Sequence, residues 1–213
     1  MALPTGHSAL GICLYFVFNK KDINSIKKWK ESGFFIFSAN IPDMDHIPYF
    51  IFRTKESYLY HHGITHTLGF AILYGAIVAV LYKRFFREKF IKSFIVFFIL
   101  VYSHVLLDFF STDDIPPIGV MLFYPFDSTY IISPFMIFGN FLDKAIYIPL
   151  GGKMLSLIQL KYLLLEVGYE LSIFITIGFL IWYLRSRRVL PISITKIFGQ
   201  TDRYNSDRSK WGG

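Results

Sequence analysis

Apolar residues in this chain gather into five blocks: Thr5–Phe18, Gly33–Phe52, Thr67–Tyr82, Ser93–Phe110 and Leu155–Leu184. Short basic clusters punctuate them, at Lys20–Lys21, at Lys27, Lys28 and Lys30, and at Lys83, Arg84, Arg87 and Lys89. Backbone polar groups in lipid must find partners within their own segment, so each block predicts a helix. The first would reach only about 21 Å, against a hydrocarbon core of about 30 Å, and is too short to span comfortably alone. The second is broken at Asn40-Ile41-Pro42-Asp43-Met44-Asp45-His46-Ile47-Pro48, where two prolines and three ionisable residues call for a pocket lined by protein or water. The last would run to about 45 Å if wholly helical, so its first part should project beyond the hydrocarbon.

Between Ser111 and Lys153 the pattern gives way to Pro116-Pro117, Tyr124-Pro125-Phe126-Asp127, Ser133-Pro134 and Gly151-Gly152, with aromatics throughout. This predicts a folded, irregular loop region at the membrane interface. After Arg185-Ser186-Arg187-Arg188 the chain turns polar. The expected organisation is a membrane-embedded domain over residues 1–185, an all-α bundle of about five helices with some short or broken, and a polar cytoplasmic tail over 186–213. No internal repeat and no second domain is visible.

Composition strengthens this reading: 54% of the 213 residues are hydrophobic and only 17% charged, too apolar for an ordinary soluble domain. The net charge of +7 raises nucleic acid as a partner, but the basic clusters abut apolar blocks, which suits juxtamembrane retention instead. Cys13 stands alone, so neither an internal disulfide nor a thiolate metal site is open to one chain. The N-terminus lacks the features of a cleaved signal, and residues 1–18 are expected to remain in the mature protein. If the basic clusters face the cytoplasm, the five blocks alternate without conflict. The result is a multi-pass protein of the cytoplasmic membrane with its N-terminus outside and its C-terminus inside.

That orientation puts the polar landmarks of successive blocks on the outer side: Gly6-His7, Asp43-Met44-Asp45-His46, His61-His62-Gly63-Ile64-Thr65-His66, and His104-Val105-Leu106-Leu107-Asp108. All six histidines lie in or beside them. Histidine with carboxylate is a ligand set for zinc and similar divalent ions, and ionisable groups at membrane depth are expensive unless paired or metal-bound. His104 and Asp108, spaced i, i+4, leave one face of a helix and can grip one ion. Glu166 and Glu170 have the same spacing in the outer part of the last block.

At these residues the chain resembles the YdjM-like, LexA-regulated, membrane-bound metal-dependent hydrolases. The matching pieces are Gly6-His7, Ile41-Pro42-Asp43-Met44-Asp45-His46, His61 to Thr67, and Ser103-His104-Val105-Leu106-Leu107-Asp108 followed by Tyr124-Pro125-Phe126. The likeness covers roughly residues 1–185. His62 stands where the family usually has arginine, which argues against a fixed cationic contact to an anionic substrate there. The order of ligand types is also similar to that of zinc-dependent phospholipase C and nuclease enzymes. That similarity implies His7, Asp45, His61 or His66, His104 and Asp108 as direct ligands, with Glu166 or Glu170 in the place of a late His-x-x-x-Glu pair.

The expected function is a membrane-bound hydrolase that uses one or two divalent ions, zinc foremost, on a phosphoester or other ester at the outer interface. Membrane lipids are the natural partners and substrates. The metal would be held by His7, Asp45, His61, His66, His104, Asp108 and Glu170. Asp43, Asp45 and Glu166 would supply carboxylates to orient the attack and handle protons. A metal transporter or sensor is the competing reading. It would need polar residues along the cytoplasmic halves of the helices, where Ala71–Leu81 and Ile173–Leu184 are apolar.

Overall fold

A computed structural model describes residues 2–18, 26–47, 62–86, 89–112, 117–139 and 157–186. The elements are α1 (Pro4–Phe18), α2 (Ile26–Ala39), α3 (Leu68–Phe86), α4 (Phe90–Phe109) and α5 (Leu157–Ser186), with short 3-10 helices at Pro42–His46 and Ile64–His66. The protein is thus all-α, with isolated bridges but no strand among the described residues. Two helices there are long and apolar enough to cross a membrane: Phe90–Phe109, and Leu160–Leu184 within α5. The chain divides into two compact units, residues 1–178 and 179–213, and the boundary falls within α5.

The second apolar block departs from expectation in its limits. Its helix begins at Ile26, inside the basic stretch, and stops at Ala39; residues 48–52 lie outside the described set. The stop follows from Pro42. The ring has no N–H to continue the α-helical ladder, yet it suits the first turn of a new helix, where Pro42–His46 begins. The pre-proline break turns a straight span into a helix followed by a tight acidic turn.

Small residues set the helix crossings. A Cβ on Gly11 would lie 3.0 Å from the Ala39 side chain and 3.1 Å from the Phe35 carbonyl, so α1 and α2 meet backbone to backbone at this point. Gly75 does the same for α3 against Phe94 and Phe98 of α4. The three-residue gap between α3 and α4 leaves room only for an antiparallel hairpin. Away from the histidines, Tyr15, Phe35, Val78, Val96, Phe97 and Leu100 form an apolar core. The Phe97 ring centroid lies 4.9 Å from that of Tyr82 and 5.4 Å from that of Phe34.

The described part of the loop region, residues 117–139, folds onto the start of α3. Leu122 and Tyr124 carbonyls accept the Leu68 and Gly69 amides at 3.1 and 2.8 Å, and the Thr67 hydroxyl accepts the Phe70 amide at 3.1 Å. Together they satisfy the donors that open a helix. Val120 and Ile131 exchange backbone hydrogen bonds at 3.1 Å, closing the loop into a compact flap. Phe126 and Phe135 remain largely exposed on it.

Candidate metal centre

Separate stretches of chain deliver buried polar side chains to one place. His7 comes from the second turn of α1, Asp43 from the Pro42–His46 turn, His66 from the Ile64–His66 turn, and His104 and Asp108 from the last two turns of α4. His7, His66 and His104 are fully buried and Asp108 nearly so. Burial on this scale requires each group to have a partner of opposite charge or a metal.

The partners are mutual. His104 Nε2 lies 3.1 Å from Asp108 Oδ2 and 3.3 Å from Asp43 Oδ1. His66 Nε2 is 3.4 Å from Asp108 Oδ2 and 3.6 Å from Asp43 Oδ1. His7 Nε2 stands 3.5 Å from Asp108 Oδ1, and its ring stacks on His104 with centroids 3.6 Å apart. Most of these separations are long for hydrogen bonds. They match instead the roughly 3.3–3.6 Å between ligand atoms placed tetrahedrally about 2.0–2.2 Å from a shared ion.

The tautomers point the same way. His104 Nδ1 can only donate to the Ala39 carbonyl, 2.7 Å away. His66 Nδ1 faces the Asp45 carboxylate at 3.2 Å and the Thr65 hydroxyl at 3.1 Å, and that hydroxyl gives its own proton to Asp45 at 3.0 Å. With both Nδ1 atoms carrying the proton, the two Nε2 lone pairs confront each other at 3.2 Å. Two lone pairs in that position repel unless a proton or a metal cation lies between them. Asp43 Oδ1, Asp108 Oδ2 and both nitrogens of His7 make no hydrogen bond among the described residues. These orphaned atoms and the donor set fit a divalent cation.

The charge balance shows in the two turns. Burial alone would lift the Asp43 carboxyl, but the His104 and His66 imidazoles beside it hold it far below the usual carboxylate range. For His66, burial opposes protonation, yet Asp108, Asp43 and Asp45 drive its pKa well above the ordinary histidine value. The carboxylates thus favour a positive charge beside them, which a proton on the imidazole or a bound cation would supply.

Two sets of donors could each hold an ion: His7, Asp43, His104 and Asp108 form one, and His62, His66 and Asp108 the other, each with ligand atoms within 4.8 Å of one another. Asp45, expected as a direct ligand, stands instead behind His66, fixing that ring through Nδ1, while Asp43 enters the first set. The 3-10 geometry explains the division. At three residues per turn, side chains at i and i+2 leave the helix in divergent directions, so Asp43 and Asp45 cannot both face one ion. His61 lies outside the described residues.

Glu166 and Glu170 stand outside both sets. Glu170 accepts the Leu3 amide at 2.6 Å and the Thr5 hydroxyl at 2.9 Å, placing a carboxylate on the N-terminal turn of α1, where the helix dipole favours it. Gly6 makes room, since a Cβ there would come within 2.9 Å of Glu170 Oε2. Glu166 accepts the Gly139 amide at 2.8 Å. Both glutamates thereby brace segments that carry or flank the centre. Asp108 also accepts the Ala2 amide at 3.2 Å, tying the start of the chain to the last turn of α4. No sequence signal separates such a brace from a ligand, because both are buried carboxylates at helical spacing.

A family model described as YdjM inner membrane protein matches residues 1–189. The chain belongs to the YdjM inner membrane protein family. Every residue of both donor sets falls inside the matched YdjM region, as do the five α-helices among the described residues. No curated protein and no solved structure matches the chain.

The hydrogen-bonded position of Asp45 leads to a graded expectation. Asp45→Asn should weaken metal binding by about 10–100-fold without abolishing it, the usual cost of losing the carboxylate that orients a ligating imidazole. Competition with a fluorescent zinc chelator would measure this, and an unchanged affinity would remove Asp45 from the centre.

Proposed function

We propose that this YdjM-family protein is a metal-dependent hydrolase of the inner membrane, acting on a phosphoester or carboxylic ester presented at the outer interface. The observation that carries the reading is the pair of Nε2 lone pairs on His66 and His104, facing each other at 3.2 Å between the carboxylates of Asp43 and Asp108. Zinc suits this donor set of imidazoles and carboxylates best. When bound, such an ion supplies Lewis acidity, bringing water towards ionisation near neutral pH and drawing charge from a substrate oxygen.

The chain's own residues do the rest. Ala39 and Asp45 fix the His104 and His66 rings in the tautomer that presents Nε2. Asp43, the most exposed member of the first donor set, borders the exposed Met44, so water and substrate would reach the ion past it. A lipid ester is favoured as substrate because the exposed aromatics Phe126 and Phe135 sit on the flap that closes over the start of α3.

The ionisable groups gather at one end of the α4 helix, and the other end packs against aromatics and aliphatics. A one-sided centre favours catalysis over passage of an ion through the bundle. With the basic loops in the cytoplasm, the centre opens on the extracytoplasmic side.

Purified protein in mixed micelles should release product from at least one of a panel containing phosphomonoester, phosphodiester, phospholipid and carboxylic ester substrates. A chelator should abolish release, added zinc should restore it, and spheroplasts should act on substrate added outside. Release that a chelator leaves untouched, or no release from any of the four classes, would overturn the hydrolase reading.

A further inference from the structure

The Asp108 carboxylate meets both donor sets. Oδ1 faces His7 at 3.5 Å, and Oδ2 faces His104 at 3.1 Å and His66 at 3.4 Å. Beyond His66 stands His62, buried to 2% exposure, its ring centroid 5.0 Å from that of His66. Sequence reasoning gave His62 no part in the centre. Its backbone contradicts that view: His62 has φ of 62°, in the left-handed region that a residue with a Cβ occupies only when surrounding structure holds it there. Non-glycine residues in this region are strained and cluster at functional sites. Here the side chain is an imidazole, and one ligand atom from each of His62, His66 and Asp108 lies within 4.8 Å of the others.

We propose that the centre binds two divalent cations, the second held by His62, His66 and Asp108 and joined to the first through a bridging Asp108 carboxylate. Ions about 3.5–4 Å apart are the common spacing of paired sites, and Asp108 Oδ2, which faces His104 of the first set and His66 of the second, is placed between the two positions. Asp45, 3.2 Å from His66 Nδ1, adds negative charge on the side of the second position, offsetting part of the repulsion between two cations. In hydrolysis the second cation would neutralise charge on the substrate oxygen while the first acts on the water. The inference rests on the reading of this cluster as a metal centre, and not on the reaction it serves.

Manganese is the probe, because a coupled pair of Mn(II) ions and an isolated ion give different electron paramagnetic resonance spectra. Full-length protein in detergent, stripped and reloaded with Mn(II), should bind two ions per chain. At saturation it should show the broadened spectrum of a coupled pair. His62→Gly deletes the imidazole and relaxes the backbone at positive φ, so the variant should fold, bind one ion and give the six-line spectrum of an isolated ion. His62→Asn, which also tolerates this backbone region and is a poorer ligand, should weaken the second site by at least about tenfold. A wild-type chain that saturates at one uncoupled ion overturns the second position and leaves the metal centre standing. A His62→Gly variant that keeps a coupled pair also overturns it. No bound ion at all overturns both, whereas a coupled pair in a protein without esterase activity removes only the hydrolase.

Discussion

Asp108→Asn is expected to strip the centre of metal. The amide keeps an oxygen for the Ala2 N–H and fills the same volume, so the fold should survive. It removes the only carboxylate shared by both donor sets, and a neutral amide is a far poorer ligand for a borderline cation. The loss should exceed the 10–100-fold typical of a supporting residue, leaving metal content near background after dialysis. His46→Ala, outside both sets, serves as the comparison and should retain wild-type metal. Elemental analysis of the two variants side by side decides the matter. Full metal occupancy in Asp108→Asn with an unaltered affinity would show that Asp108 does not ligate the ion.

Removing the metal should also soften the whole bundle. The centre gathers α1, α4 and both 3-10 turns, so an ion there binds only the native state and stabilises it by mass action. At free metal about 100–1,000 times the dissociation constant, the linkage amounts to about 3–4 kcal/mol. For a chain of this size that corresponds to about 5–15 °C in Tm. Adding a chelator to detergent-purified protein should lower the midpoint by that amount, and restoring zinc should recover it. Asp108→Asn should melt near the chelated wild type and ignore both additions. Equal midpoints with and without chelator would mean that no ion contributes to the folded state.

Several features of this protein can be read from its sequence for physical reasons. Lipid imposes helices on apolar blocks, and the ends of α1, α4 and α5 fall within a few residues of the hydropathy limits. The break at Asn40–Pro48 follows from proline chemistry. The gathering of His7, His66, His104 and Asp108 was legible because histidines were confined to the polar landmarks. What escaped was direction. Asp43 and Asp45 are chemically alike, and only the three-residue period of their turn sends one into the donor set and the other behind His66. His62 was passed over because nothing in a His-His-Gly sequence announces a left-handed backbone that turns the imidazole inward. The glutamates of α5 show the converse. Their i, i+4 spacing suggested ligands, whereas Glu170 meets the first turn of α1 over Gly6, a contact set by tertiary packing.

The central claim is that imidazoles and carboxylates from separate segments converge on a bound divalent ion. X-ray absorption at the zinc edge of detergent-purified, zinc-loaded protein tests it most directly. The spectrum should show nitrogen and oxygen neighbours at about 2.0–2.1 Å, the multiple-scattering signature of imidazole, and no sulfur, since Cys13 lies apart in the α1 helix. That imidazole signature should be lost in a His66→Ala, His104→Ala double variant. A wild-type spectrum without imidazole scattering, or protein that returns from dialysis with no zinc to measure, would contradict the account.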